Sequence, residues 1–211
     1  MIKNYVIGAG GHCRSVLRQL ILKFPKESIK IVDFNDNNDE DSIMGVYFCN
    51  KNDFMSINYK EKINCYCAIG NNKKRISILK EMRSLGFKTP NLISKNSTLD
   101  ESSCIGKGCF ISDFVYLGPQ VKIGNDCIIN TNSIVEHETI IENGSHVAPS
   151  ATICGRCFIG ERSFIGANST IIEKINISPA SIIGAGSVVI KDIVIEGKTW
   201  VGVPANLNDQ S

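Results

Sequence analysis

Residues 141–171 read IENGSH VAPSAT ICGRCF IGERSF IGANST I, with an aliphatic residue at every sixth position. The same step of six continues in both directions without a gap, from residue 93 to residue 189. A strict period of six fits neither an α-helix nor an alternating strand, and it is typical of a parallel β-helix. The aliphatic positions are Ile93, Leu99, Ile105, Ile111, Leu117, Ile123, Ile129, Val135, Ile141, Val147, Ile153, Ile159, Ile165, Ile171, Ile177, Ile183 and Val189.

Two other positions of the hexapeptide have their own composition. The fifth residue is mostly small, as it must be to lie beside the aliphatic residue inside one coil. Cys109, Cys127 and Cys157 occupy this position, so we expect them to be core residues. The second residue is often glycine, which we expect to give the backbone the freedom that tight corners need. These glycines are Gly106, Gly118, Gly124, Gly160, Gly166 and Gly184.

Residues 1–92 have a different pattern, in which short apolar runs alternate with amphipathic segments. This alternation predicts a small, Rossmann-like α/β domain with a parallel sheet, followed by the repeat domain at 93–211. The predicted strands are Lys3–Ile7, Ile29–Phe34, Asn64–Ile69 and Lys88–Leu92, and the predicted helices are Arg14–Phe24 and Asn72–Leu85.

Composition excludes several functional classes. The 211 residues carry a net charge of +2, too little for a protein whose main partner is a nucleic acid. We interpret the basic run Lys73–Arg75 as a solvated helix start. No apolar run reaches 18 residues, so no membrane span is expected. The absence of an export signal and the odd number of cysteines, nine, predict free thiols in the cytoplasm. Cys154 and Cys157 lack further ligands at zinc-site spacing, so no metal is expected.

Two of the three histidines lie in the repeats. His137 is the third residue of its hexapeptide and stands between Glu136 and Glu138, so it should face outward. An outward imidazole held by a carboxylate suits a general base, although an ordinary surface histidine is the alternative. His146 is the last residue of its hexapeptide. It is either a second candidate for a functional site or a corner histidine hydrogen-bonded to backbone.

His12 belongs to a glycine-rich turn at residues 7–13, IGAGGHC, between a predicted strand and a predicted helix. Backbone N–H groups in such a turn can hold a phosphate. The turn is not a complete dinucleotide fingerprint because Cys13 stands where the third glycine would be. Asp33, at the end of the second strand, could accept hydrogen bonds from a ribose or a base. The alternative is a tight turn without a ligand.

The order of these parts resembles the NeuD/PglD-like family of bacterial sugar acetyltransferases. The resemblance rests on GAGGH at 8–12, AIGNN at 68–72, NTNSIVEHE at 130–138 and VGVPA at 201–205. It implies a left-handed β-helix with three hexapeptides per coil and a little over five coils. It also implies a homotrimer that binds acetyl-CoA, without a metal, in clefts between subunits.

The resemblance also implies roles for individual residues. His137 matches the catalytic base, and Glu138 matches the residue that orients it. The acetyl-CoA channel is matched by Asn130, His146, Gly155, Ala167 and Ala185, with the Gly155 N–H as the donor to the thioester oxyanion. The nucleotide-sugar pocket is matched by Gly8, Gly10, Gly11, His12, Asp33, Gly70, Asn71 and Asn72.

The predicted activity is N-acetylation of the 4-amino group of a nucleotide-linked 4-amino-4,6-dideoxy sugar, with UDP or dTDP as the expected nucleotide. The product would serve bacterial surface glycan synthesis, such as lipopolysaccharide O-antigen, capsule or glycoprotein. One alternative is O-acetylation of sialic acid or a related sugar. A second, from another class, is a non-catalytic trimeric scaffold in a sugar biosynthetic complex.

Overall fold

The computed structural model describes residues 3–34 and 41–208. The chain divides into two compact units, Met1–Leu92 and Ile93–Ser211.

The first unit is an α/β domain around a three-stranded parallel sheet. The sheet consists of β1 (Lys3–Ile7), β2 (Ile29–Val32) and β5 (Ile63–Cys67), and a separate hairpin consists of β3 (Ser42–Ile43) and β4 (Val46–Tyr47). The helices of this unit are α1 (Gly11–Ile21), α2 (Lys51–Met55) and α3 (Asn72–Ser84), with 3-10 turns at Lys26–Ser28 and Lys60–Lys62. The sheet order is β2-β1-β5, and both pairings are parallel, as the alternating pattern predicts.

Several boundaries in this unit differ from the prediction. Helix α1 begins at Gly11, three residues before the predicted start, so the glycine turn itself forms the helix N-terminus. The strand predicted at Lys88–Leu92 is wrong, because Lys88 forms only an isolated bridge with Asn64. The hairpin β3–β4 and helix α2 were missed, since neither is long enough to show a period. Asn50 caps α2, its side chain accepting from the Asn52 N–H at 2.8 Å.

The second unit is a β-solenoid of two-residue strands. They are β6 (Leu92–Ile93), β7 (Thr98–Leu99), β8 (Cys104–Ile105), β9 (Phe110–Ile111), β10 (Tyr116–Leu117), β11 (Lys122–Ile123), β12 (Ile128–Ile129), β13 (Ile134–Val135), β14 (Ile140–Ile141), β15 (His146–Val147), β16 (Thr152–Ile153), β17 (Phe158–Ile159), β18 (Phe164–Ile165), β19 (Thr170–Ile171), β20 (Asn176–Ile177), β21 (Ile182–Ile183) and β22 (Val188–Val189). A final antiparallel pair, β23 (Thr199–Val201) and β24 (Asn206–Leu207), adds to the edge of one sheet.

The strands stack into three parallel sheets, which are the three faces of a prism. Face 1 holds β7, β10, β13, β16, β19 and β22, and face 2 holds β8, β11, β14, β17 and β20. Face 3 holds β6, β9, β12, β15, β18 and β21, with β23 and β24 at its end. Tyr116 pairs with Ile134, which shows that three hexapeptides complete one coil. Each residue therefore lies beside the residue 18 positions away in the next coil.

The interior of the solenoid confirms the aliphatic pattern. The column from Ile111 to Val189 is buried in one continuous core, and Ile93, Leu99 and Ile105 pack against its end. The expectation that three cysteines fill the core is confirmed, since each is at most 2% exposed. They are Cys109, Cys127 and Cys157.

The glycines at the second position have a different cause from the one expected. None of these six glycines has a positive φ. The residue with the left-handed backbone at each corner is the fourth of the hexapeptide, and it is usually not glycine, as at Asp126 (φ 59°) and Arg162 (φ 62°). Instead, neighbouring coils approach too closely for a side chain. A Cβ on Gly124 would lie 2.7 Å from the backbone nitrogen of Asn143 in the next coil. Close approach between coils, and not corner flexibility, requires these glycines.

Candidate functional site

A cavity of about 530 Å³ opens at the carboxyl ends of the strands in the first unit. This volume lies within the range of small-molecule pockets. Seven of the eight residues predicted for the nucleotide sugar line it: Gly8, Gly10, Gly11, His12, Asp33, Gly70 and Asn71. The structure therefore brings together two loops that lie about 60 residues apart in the chain, the glycine-rich turn at 8–12 and the segment at 68–72.

Two helices begin at the cavity wall. Gly10 is the N-cap of α1. Asn71 caps α3, its side-chain oxygen accepting from the Lys74 N–H at 3.0 Å. The first N–H groups of a helix have no partner within the helix and carry partial positive charge, so they attract phosphate. Lys74 also lines the cavity and adds a cation. Both helix starts are thus suited to a phosphorylated ligand.

Asn72 does not line this cavity. Its side-chain oxygen accepts from Nη2 of Arg75 at 2.9 Å, while Nη1 of Arg75 donates to the carbonyl oxygens of Gly70 at 3.0 Å and Ile69 at 3.3 Å. Arg75 is 1% exposed, so the interpretation of Lys73–Arg75 as a fully solvated helix start was wrong. The buried guanidinium ties the β5–α3 loop together, and Asn72 supports the cavity wall instead of forming it.

His12 is held in its neutral form. Burial, and then the positive charge of Arg75, lower the pKa of His12 from 6.5 to about 4. At neutral pH its ring is therefore an uncharged donor and acceptor on the cavity wall, and not a cation.

We expect His12 to make the protein less stable in mild acid. Because its pKa is lower in the folded state, the unfolded state binds the proton more tightly, and stability falls as pH drops from 6.5 toward 4. This contribution amounts to about 2 kcal/mol between pH 7 and pH 5. Urea unfolding measures the difference in free energy of unfolding between pH 7 and pH 5. In His12→Asn this difference should be smaller by the same amount than in the wild type. An equal pH dependence in both proteins, with unchanged m-values, would contradict the assignment.

In the second unit, His137 lies at the corner between face 1 and face 2. Its side chain is 44% exposed, and Nδ1 is 3.1 Å from Oε2 of Glu138. A carboxylate only accepts hydrogen bonds, so in the neutral ring Nδ1 carries the hydrogen and Nε2 keeps its lone pair. The arrangement has the chemistry of an oriented general base.

The partner of this base is itself held. Nε of Arg156, one coil further on, donates to the same Oε2 of Glu138 at 2.8 Å. The hydrogen bond from His137, and then that from Arg156, lower the pKa of the Glu138 carboxyl below its usual value. The carboxylate therefore stays ionised and continues to accept from Nδ1.

Gly155 forms the floor beneath the imidazole. It is buried, and a Cβ built on it would lie 2.5 Å from both Cε1 and Nε2 of His137. No other residue type fits here without moving the ring. The structure thus places Gly155, which was predicted for the acetyl-CoA channel, directly against the imidazole of His137.

The other residues predicted for acetyl-CoA lie elsewhere on the prism. Asn130, Ala167 and Ala185 follow β12, β18 and β21, so they lie at the corner between face 3 and face 1. His146 begins β15 on face 3; its Nε2 is 3.4 Å from Nδ2 of Asn130, and its ring meets Phe164 edge-on at 5.0 Å. A single chain therefore brings Asn130 and His146 together but leaves them at a different corner from His137.

Sequence reasoning missed two residues that the geometry makes prominent. Lys74 was assigned to a solvated run, although its position near the start of α3 is a usable signal for a site at the helix N-terminus. Arg156 lies 18 residues after Glu138, which is one full coil, so the period itself could have indicated the pair.

The described residues, 3–34 and 41–208, contain no helix long and apolar enough to cross a bilayer. Over the same ranges, no group of three or more His, Cys, Asp or Glu side chains is arranged to hold a metal ion. All nine cysteines are free thiols.

Comparisons with known proteins cover both units. Residues 3–82 match the PglD N-terminal domain, and residues 102–137 match the bacterial transferase hexapeptide (six repeats). No curated protein matches the chain at a significant level.

Solved structures match over nearly the whole chain. The acetyltransferase domain of PglB from Neisseria gonorrhoeae is 28% identical, with a TM-score of 0.90, covering 99% of this chain and 100% of that one. A histidine-to-asparagine variant of perosamine N-acetyltransferase from Caulobacter crescentus, in complex with CoA and GDP-perosamine, is 26% identical, with a TM-score of 0.89 and coverage of 98% and 96%. WeeI from Acinetobacter baumannii is 25% identical, with a TM-score of 0.91 and coverage of 99% and 100%.

A β-solenoid of hexapeptides with an outward His–Glu pair, preceded by an α/β domain with a ligand-sized cavity, defines a hexapeptide-repeat acetyltransferase. The solenoid is a left-handed β-helix, as the sequence resemblance implied. Its first unit matches the PglD N-terminal domain, and the chain as a whole is similar to sugar N-acetyltransferases of the left-handed β-helix superfamily.

Proposed function

We propose that the protein transfers an acetyl group from acetyl-CoA to the 4-amino group of a nucleotide-linked 4-amino-4,6-dideoxy sugar. The observation that carries this proposal is the His137–Glu138 pair over Gly155, in which the carboxylate lies beside Nδ1 and leaves Nε2 as the ring nitrogen available to a substrate. Relatives with acetyl coenzyme A, or with CoA and GDP-perosamine, support the choice of donor and acceptor class.

In the proposed reaction, Nε2 of His137 accepts a proton from the sugar nitrogen as that nitrogen attacks the thioester carbon. The new C–N bond forms while the carbonyl electrons move onto oxygen. The N–H of Gly155 then donates to this oxyanion, which stabilises it where its charge develops. When the carbonyl re-forms, the C–S bond breaks and coenzyme A leaves as the thiolate. Glu138 keeps the imidazolium stabilised throughout.

We assign the coenzyme A channel to Asn130, His146, Ala167 and Ala185, in a homotrimer. These residues lie at a different corner of the prism from His137, so a second copy of the chain has to complete the site. Apolar side chains on the outer faces support such an assembly: Phe158 on face 2 is 37% exposed and Ile182 on face 3 is 42% exposed. Covering them against another subunit removes apolar surface from water.

The cavity of the first unit is proposed to hold the nucleotide. Backbone N–H groups at the starts of α1 and α3, with Lys74, suit the diphosphate, and Asp33 suits a hydrogen-bond donor on the ribose or base. UDP and dTDP remain the expected nucleotides, and GDP is included in the test because a relative was solved with GDP-perosamine. The proposed destination is a bacterial surface glycan, with the reaction in the cytoplasm.

The test is release of free thiol from acetyl-CoA in the presence of UDP-, dTDP- and GDP-linked 4-amino-4,6-dideoxy sugars and free sialic acid. The matched control is each sugar with its 4-amine already acetylated. We expect rapid release with one amino sugar and none with its acetylated form. Release with sialic acid alone would replace the proposal by O-acetylation. A folded protein that neither releases thiol nor binds acetyl-CoA would favour the scaffold.

A further inference from the structure

We propose that Arg156 is a positioning residue for the general base, which it serves by holding the Glu138 carboxylate against Nδ1 of His137. This inference rests on the proposed function. The carboxylate oxygen Oε2 is shared, lying 2.8 Å from Nε of Arg156 and 3.1 Å from Nδ1 of His137. Two donors on one oxygen leave the carboxylate little freedom to rotate away from the imidazole.

The β-helix places these groups together through its coil spacing. Glu138 and Arg156 are both the fourth residue of a hexapeptide, 18 residues apart, and both have a left-handed backbone, with φ of 60° and 61°. The N–H of Arg156 also donates to the carbonyl oxygen of His137 at 2.9 Å. With Gly155 directly before it, the corner of one coil supplies both the floor beneath the imidazole and the clamp on its partner.

The Arg156–Glu138 ion pair is too exposed to contribute much to the stability of the fold. The Arg156 and Glu138 side chains are 52% and 42% exposed, and ion pairs in solvent contribute little to stability. An exposed carboxylate without a second partner has several rotamers open to it, and only some of them reach Nδ1. Misplacing a catalytic group by about 1 Å can reduce turnover up to 10²-fold. We therefore expect Arg156 to act mainly by orienting the Glu138 carboxylate, and through it the imidazole of His137.

The test is a double-mutant cycle between Arg156→Gln and Glu138→Gln, assayed with whichever nucleotide amino sugar releases the most thiol. We expect Arg156→Gln to lower kcat about tenfold, with the KM for acetyl-CoA unchanged, because a loosened base is less often aligned. In the Glu138→Gln background the same substitution should change kcat less than about twofold, since its partner is already altered. Arg156→Lys should recover part of the loss.

The matched control is Lys174→Gln. Lys174 is also the fourth residue of its hexapeptide, one coil beyond Arg156, and has the same left-handed backbone, but its Nζ lies 3.3 Å from Glu173 instead of contacting Glu138. Its kcat should match the wild type. A readout without turnover is the ¹⁵N spectrum of the His137 ring, in which Arg156→Gln should lower the share of the Nδ1–H tautomer.

Three outcomes would overturn the inference: an equal loss of kcat in both backgrounds, a raised KM for acetyl-CoA as the main effect, or wild-type kcat in Arg156→Gln. They are distinguishable from failure of the proposed function. If His137→Ala keeps full turnover, the general base itself is wrong. If His137→Ala is inactive while Arg156→Gln turns over normally, only the role of Arg156 is wrong.

Discussion

Replacing His137 by alanine should lower kcat for acetyl transfer by roughly 100-fold or more, the usual size of a lost general base. The side chain is half exposed and contributes little to the core, so the fold should persist. Its free Nε2 is the only group in the proposed reaction that accepts the proton of the attacking amine. Thiol release at saturating acetyl-CoA and amino sugar measures the effect directly.

Folding controls separate loss of the base from general damage. Circular dichroism and the thermal midpoint should be unchanged. Turnover within a few-fold of the wild type would contradict the assignment of His137 and leave it an ordinary surface histidine.

Replacing Gly155 by alanine should lower kcat by roughly 100-fold without unfolding the protein. The new Cβ would lie 2.5 Å from Nε2 of His137, so the ring has to move by about 1 Å, and such a displacement can reduce turnover by two orders of magnitude. Gly155 does not have a positive φ, so alanine introduces no backbone strain there. The half-exposed ring can yield toward solvent, which leaves the core intact.

The double variant Gly155→Ala/His137→Ala tests whether the effect passes through the ring. With the imidazole gone, the added methyl group has nothing to displace, so kcat should fall less than about threefold below that of His137→Ala alone. A further 100-fold loss would show that the added methyl group disturbs something other than the imidazole, and would contradict displacement of the ring as the cause.

Repetition explains why the second unit was predicted so well. Each hexapeptide repeats the same local arrangement, in which an aliphatic residue points inward beside a mostly small residue. The aliphatic position recurs 17 times from Ile93 to Val189, so the pattern is easy to detect. In the first unit, short elements such as helix α2 and the β3–β4 hairpin have too few residues for a pattern, and their boundaries depend on tertiary packing.

The sequence by itself determined the two-domain order, the β-helix and its core, the outward position of His137 beside Glu138, and the presence of a glycine-rich turn between the first strand and the first helix. These follow from local periods and neighbours in the chain. Only the tertiary structure decided that Arg75 is buried beside the cavity, that close contact between coils requires the glycines, and that Arg156 contacts Glu138. The coil spacing of 18 residues makes the last pair possible, but all three contacts depend on three-dimensional distances that only coiling and packing set.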